Sequence, residues 1–315
     1  MRNLVNKINY FDDKAIFEPI NDSNSGAILK KVIDNDKTYF LKIVSKDSID
    51  INKIKKTLKI YKKNNIDTVE LLNYGCIEKK AYLIYNFIDG YALNTIYDKY
   101  GLTDYYDMGF NIGYKYRLIN STYKFDSIFS KNYSVNDLAN DFITSFKKLY
   151  YGKLNYIREI IEEEKMKDII RRMQELTVSF NNEKKVYIHA DMHPKNIMVD
   201  NSNKLYIVDI EAFCIDYFVM NIRWSIASAF KNKKNNQFFN GFINGYYNNK
   251  VPKEFCKQMI FVLILNFIEH IIEFSNTKDK DFILNYTSKI NMIFNSIDLF
   301  SNKNILSSTT IFINN

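Results

Sequence analysis

The chain has 315 residues, 46% of them hydrophobic, 16% aromatic and 25% charged, with a net charge of +8. Apolar material on that scale excludes a disordered chain, and 9 Gly with 3 Pro exclude collagen-like and linker-rich architectures. Cys76, Cys214 and Cys256 are odd in number and form no Cys-x-x-Cys pair, so neither a disulfide framework nor a thiolate zinc site is expected, and the reading is a reduced, cytoplasmic protein.

Met1 to Asp13 lacks an apolar core and a small-residue cleavage site, so no signal peptide is expected. The basic charge is spread out: residues 1–88 carry 16 Lys/Arg against 11 Asp/Glu, and residues 89–315 carry 28 against 25. Lys53, Lys55, Lys56, Lys59, Lys62 and Lys63 fit the solvated face of one helix, which argues against a nucleic-acid partner. In chain order, strands are predicted at 15–20, 27–33 and 38–44, with polar turns at Asn21–Gly26 and Asp34–Lys37. A helix over 47–63 follows from Ile51, Ile54, Leu58 and Tyr61, and two more strands from 69–74 and 81–87.

From Leu93 the periodicity turns helical, over 106–120, 135–149 and 157–176. A strand pair is expected at 186–199 and 205–210, and the remainder is helical. The most apolar run, Met259–Leu265, stops well short of the ~20 residues of a membrane span, so a buried helix and no membrane partner are expected. The fold class is therefore α+β, with two lobes. The smaller, residues 1–88, has an antiparallel sheet and one helix, and the larger, residues 89–315, is mainly helical.

Two of the three histidines fall in the run His189-Ala190-Asp191-Met192-His193-Pro194-Lys195-Asn196. An apolar strand follows, then the polar Asp200–Lys204, then a second strand ending at Asp209-Ile210-Glu211. A hairpin centred between Ser202 and Asn203 makes Asn196 and Asp209 cross-strand neighbours, with Cβ atoms roughly 5 Å apart. An amide oxygen and a carboxylate so placed suit Mg²⁺, with phosphate oxygens and water completing the shell. Asp191 then stays free to accept a proton from an attacking hydroxyl.

His189-x-Asp191-x-x-x-x-Asn196 has the spacing of the protein-kinase catalytic loop, and Asp209 stands where kinases carry the metal-binding Asp. The wording His-Ala-Asp-Met-His-Pro-Lys-Asn, then Val-Asp-Ile-Glu, more closely resembles the aminoglycoside phosphotransferase and choline kinase-like family. The resemblance implies a kinase-like fold and a phosphotransferase that moves the γ-phosphoryl of ATP or GTP, with Mg²⁺, to a hydroxyl of a small molecule, an aminoglycoside-like antibiotic first. A choline or amino-sugar kinase and a catalytically silent scaffold are the alternatives. It also implies Asp191 as base, Asn196 and Asp209 as metal ligands with Glu211 near the metals, and Lys42 in Phe40–Val44 on the α/β-phosphates. Tyr82–Gly90 resembles the strand and hinge of the adenine site, with the backbones of Asn86 and Ile88 on the base and Tyr85 at the back. Asn21–Gly26 takes the place of the phosphate-covering loop, with Gly26 its only glycine.

His193 is assigned to the γ-phosphate or to a loop contact, and His189 to bracing the loop. The predicted helix at 47–63 contains no Glu to pair with Lys42, so either Asp50 substitutes or the pair is missing. Asp216 and Arg223 are expected to brace the catalytic loop. Glu159, Glu162, Glu163, Glu164, Glu269 and Glu273 are the carboxylates available to a cationic acceptor, and Trp224 is an aromatic wall for a quaternary ammonium. A rival reading takes His189, Asp191 and His193 as alternating metal ligands of a hydrolase.

Overall fold

The computed structural model describes residues 7–20, 26–152, 155–223, 232–275 and 280–295. They divide into two compact units: Met1–Lys99 with Pro194–Phe213, and Tyr100–His193 with Cys214–Asn315.

The first unit opens with β1 (Ile16–Pro19), β2 (Ile28–Asp34), β3 (Lys37–Ser45), helix α1 (Ile51–Lys63), β4 (Leu71–Ile77) and β5 (Lys80–Asn86). Among the described residues these strands form one antiparallel sheet in the order β1-β2-β3-β5-β4. Asn35 and Asp36 both adopt left-handed backbone between the paired Asp34 and Lys37, the two-residue turn whose twist matches that of the flanking strands. Alternation then sorts the faces: Val32, Leu41, Ile43 and Ile84 pack with Ile8, while Lys42 and Tyr85 stand on the opposite side. Helix α1 buries Ile54, Thr57, Ile60 and Tyr61 and exposes Lys55, Lys56, Lys59, Lys62 and Lys63. Asp50 is its N-cap, the carboxylate accepting from the Asn52 and Lys53 N–H groups at 2.9 and 3.1 Å. Asp50→Ala should therefore destabilise the fold by about 1 kcal/mol, read from a denaturant midpoint. A strand β6 (Gly90–Ala92) follows, and a Cβ on Gly90 would lie 2.3 Å from the Val199 carbonyl oxygen, so only glycine fits there.

The second unit begins with α2 (Leu102–Thr122), α3 (Val135–Tyr150), α4 (Asn155–Ile160), α5 (Glu163–Thr177) and β7 (Val186–His189). The single helix predicted at 157–176 is two: Glu162 turns extended, and α5 starts behind a run of Glu residues whose charge suits a helix N-terminus. The predicted strand at 186–199 is also interrupted. Pro194 lacks an N–H and begins a short 3-10 turn, and β8 (Ile197–Asp200) forms only after it, back in the first unit.

β8 and β9 (Leu205–Ile207) form the expected hairpin, with β6 on the outer side of β8. The register differs by one. Ile197 pairs Ile207 and Val199 pairs Leu205, so the turn centres on Ser202, and the Val208 N–H donates to the Asn196 carbonyl at 2.9 Å. Asn196 therefore faces Val208, and Asp209 stands one position beyond it. The cause is a three-residue loop with Asn203 left-handed (φ 65°), which the Asp200 carboxylate organises by accepting from Ser202 and Lys204. The Ser202 hydroxyl, then the backbone N–H groups, hold that carboxyl down at about 2.

The chain then completes the second unit with β10 (Phe213–Asp216), α6 (Lys233–Tyr247), α7 (Phe255–Ser275) and α8 (Lys280–Asn295). α7 carries a 19-residue stretch, Phe255–Glu273, long and apolar enough to cross a membrane, because the helix runs straight through Asn266, Glu269 and His270. Most of that stretch is buried inside the unit, against α3, α5 and α8.

Candidate active site

The sheet and the hairpin of the first unit bring four of the expected residues together. Lys42 Nζ lies 2.6 Å from Asp209 Oδ1 and 3.3 Å from Glu211 Oε1, and the Tyr85 hydroxyl donates to the same Glu211 oxygen at 3.1 Å. The turn after β9 makes this possible: Asp209 adopts left-handed backbone (φ 57°, ψ 45°) and Ile210–Ala212 form a 3-10 turn, so the chain reverses over the sheet. Such backbone is uncommon outside glycine and is tolerated best by Asn and Asp. Burial opposes the charge on Lys42, but Glu211 and Asp209 outweigh it and hold the ammonium above its ordinary value. Burial pushes the Glu211 carboxyl up in spite of Lys42, and burial followed by Glu211 pushes the Tyr85 phenol up. Asp50, the expected partner of Lys42, is spent on the α1 N-terminus.

The hairpin is tied to the same unit through the segment between α1 and β4. The Thr68 hydroxyl donates to the Ile207 carbonyl, the Ile207 N–H donates to the Asp67 carbonyl at 2.9 Å, and Lys204 pairs with Asp67. At the hinge, Asn86 and Glu70 exchange hydrogen bonds: the Asn86 N–H donates to the Glu70 carbonyl and the Asn86 amide oxygen accepts from the Glu70 N–H. The Ile88 backbone has no hydrogen-bond partner among the described residues. A cavity of about 340 Å³ lies here, lined by Asn86, Phe87, Ile88, Asp89, Asp200 and Tyr206 among others. Gly26 is exposed with φ +67° and open space where a Cβ would stand; Asn21–Ser25 lie outside the described residues.

Asp191 and His193 lie in the second unit just after β7, both half-buried. His189 and Met192 are fully buried on either side of Asp191. Asn221, which the sequence did not single out, fixes this stretch. Its side-chain oxygen accepts from the His189 N–H at 2.9 Å, its carbonyl accepts from the Met192 N–H at 3.1 Å, and its amide donates to the Phe218 carbonyl. Asp216, expected in that role, is engaged elsewhere. Buried Asp216 accepts from the Tyr133 hydroxyl, and Arg223 pairs with Glu269 at 2.5 Å over the Phe142 ring. For the hydrolase reading, no group of three or more His, Cys, Asp or Glu is arranged to hold a metal among the described residues.

Of the acidic residues available to a cation, Glu159, Glu163 and Glu164 pair with Lys280 or Lys167. Glu269, already paired with Arg223, and Glu273 line a cavity of about 410 Å³ in the second unit, with Asp141, Phe142, Ser145 and His270. Trp224 lies outside the described residues.

A family model described as fructosamine kinase matches residues 12–276. No curated protein sequence matches the chain. Among solved structures, an ethanolamine kinase from Plasmodium vivax is 19% identical, covers 94% of this chain and 85% of its own, and superposes with a TM-score of 0.58. A spectinomycin phosphotransferase in complex with ADP and spectinomycin is 15% identical, with coverages of 94% and 92% and a TM-score of 0.58. The GDP complex of an aminoglycoside 2′-phosphotransferase is 12% identical, with coverages of 93% and 97% and a TM-score of 0.67. At these identities the likeness is one of fold, and that fold is protein kinase-like.

Proposed function

This chain belongs to the fructosamine kinase family, a family of small-molecule kinases, and from that premise we propose that it moves the γ-phosphoryl group of ATP or GTP to a hydroxyl of a small amine-bearing sugar. The family's name favours a fructosamine as acceptor; an aminoglycoside has the same chemistry of amine and hydroxyl. The observation that carries the reading is the convergence of Lys42, Asp209 and Glu211 at the end of the hairpin that starts from Asn196.

In this proposal Lys42 binds the α/β-phosphates and the Ile88 backbone meets the base, with the Asn86 backbone beside it and Tyr85 behind. Gly26 lies on the side of the phosphates. Asn196, Asp209 and Glu211 offer hard oxygens, and a cation is already drawn to two of them in the form of Lys42, so the donor set suits Mg²⁺. Asn196 and Asp209 would hold that ion, which neutralises phosphate charge when bound. Asp191 orients the acceptor hydroxyl and takes its proton as the new O–P bond forms and the bond from the γ-phosphorus to its bridging oxygen breaks, releasing the nucleoside diphosphate. His193 contacts the γ-phosphate. Carboxylates Asp141 and Glu273 around the 410 Å³ cavity suit the acceptor's amine.

Thermal unfolding tests this reading, with Mg²⁺ plus ATP and with Mg²⁺ plus GTP, on the parent and on Asp209→Ala. Nucleotide at about 100 times its dissociation constant should stabilise the parent by ~2.7 kcal/mol, and Asp209→Ala should lose the metal-dependent part of the shift. Mass spectrometry of a fructosamine, an aminoglycoside and ethanolamine after incubation then identifies the phosphorylated acceptor. The absence on α1 of a carboxylate for Lys42 favours a second reading, the catalytically silent scaffold, and no shift with either nucleotide would establish it.

A further inference from the structure

A strand lysine that binds phosphate needs an anion to hold its ammonium in place, and in protein kinases a helix Glu supplies it. Here α1 cannot. Residues 51–63 contain no Asp or Glu, its buried positions are Ile54, Thr57, Ile60 and Tyr61, and the acid at its start is engaged as the N-cap. Both anions on Lys42 come from the turn after β9, and they differ in kind. The Asp209 side chain is 38% exposed and stands at a left-handed position, whereas the Glu211 side chain is 16% exposed. Glu211 Oε1 meets two donors, the Lys42 ammonium at 3.3 Å and the Tyr85 hydroxyl at 3.1 Å. Lys42 and Tyr85 rise from the same face of paired strands β3 and β5, so the sheet itself presents both donors to one oxygen.

We propose that Glu211, clamped by the Tyr85 hydroxyl, is the positioning residue for Lys42, standing in for the missing helix carboxylate. The inference rests on the reading of Lys42 as a phosphate ligand. It moves Glu211 from the metal's shell to the lysine, and it removes the reason to regard the chain as silent. A like-for-like exchange on the helix is unnecessary, because a chain reversal two residues after Asp209 delivers the charge to the same ammonium.

The test is a double-mutant cycle on ADP affinity, measured by calorimetry in EDTA and again in Mg²⁺, with Glu211→Gln, Lys42→Met and the pair. Glu211→Gln should weaken metal-free ADP binding roughly tenfold and add nothing in the Lys42→Met background, as expected for groups that act through one another. Tyr85→Phe, which keeps the ring and removes only the donor, should cause a smaller loss that also vanishes in Lys42→Met. It keeps the inference testable if Glu211→Gln does not fold. Equal losses in both backgrounds, or a loss confined to Mg²⁺, would assign Glu211 elsewhere. A parent that binds ADP while Glu211→Gln binds it equally well overturns this inference alone. A parent that binds no nucleotide overturns the proposed function and this inference with it.

Discussion

Asp191→Asn should leave Mg²⁺–nucleotide binding intact while turnover falls by roughly 10²- to 10⁴-fold, the range in which a positioned base contributes. The substitution keeps the size of the side chain and removes its capacity to take a proton. The loop around it is set by other groups: buried His189 and Met192 both donate their N–H to Asn221, and neither bond involves the Asp191 side chain. Nucleotide titration and a coupled assay of diphosphate release, run on the same preparation, separate the two effects. Unchanged turnover would remove Asp191 from the role of base. A loss of nucleotide affinity as large as the loss of turnover would make it a binding residue instead. The same geometry argues against His189 as the base, since a side chain with no exposed surface at the end of β7 cannot exchange a proton with a substrate.

The parts of the molecule legible in the sequence are those carried by local spacing. Asp191, Asn196 and Asp209 sit in one continuous run with its hairpin, and the sheet with α1 follows from short-range periodicity and turn chemistry. The register error at Asn196 shows the limit even there. Centring a polar stretch by symmetry ignores that Asn203 takes left-handed backbone, which turns an even loop into an odd one. What was not legible depends on contacts far apart in the chain. Lys42 meets Glu211 across 169 positions, and Asn221 meets His189 across 32. No spacing rule links such pairs, and a helix without Glu gives no hint that Glu211 lies 3.3 Å from Lys42. Asp216 is a plausible brace by charge alone, yet a neutral Asn221 accepts from the His189 and Met192 N–H groups, because a backbone N–H needs an acceptor and not a charge. The break between α4 and α5 is hidden for another reason, since the charged run Glu162–Lys165 is itself compatible with the solvated face of one continuous helix.

A second large effect is expected far from any charged group, at four glycines in the second unit. Gly109-x-x-x-Gly113 on α2 and Gly241-x-x-x-Gly245 on α6 line the face along which the two helices run in parallel. A Cβ at Gly109 would lie 1.9 Å from the Phe238 carbonyl oxygen, at Gly113 2.0 Å from that of Phe242, at Gly241 1.9 Å from that of Tyr106, and at Gly245 2.1 Å from that of Phe110. Every clash is with backbone, so no side chain can swing aside to relieve it. One methyl group must push the helix axes apart, and buried Tyr105, Tyr116, Phe238 and Phe242 lose contact along the seam. Alanine recovers about 1 kcal/mol of helix propensity, whereas overpacking costs ~1–3 kcal/mol and more where the backbone itself must move. Gly109→Ala and Gly241→Ala should therefore be net destabilising by roughly 2 kcal/mol or more, seen as a lower denaturant midpoint with an unchanged slope. Gly101→Ser is the control. It lies at the α2 N-cap, where an added Cβ meets nothing closer than an Asp104 oxygen at 3.4 Å and serine is a favoured cap, so stability should hold or rise. If Gly109→Ala matched Gly101→Ser, the close approach of α2 and α6 would not be what holds this unit together. If it melts as expected, the helical unit depends on two bare backbones lying against each other, and the aromatic residues beside them pack only because no side chain stands between.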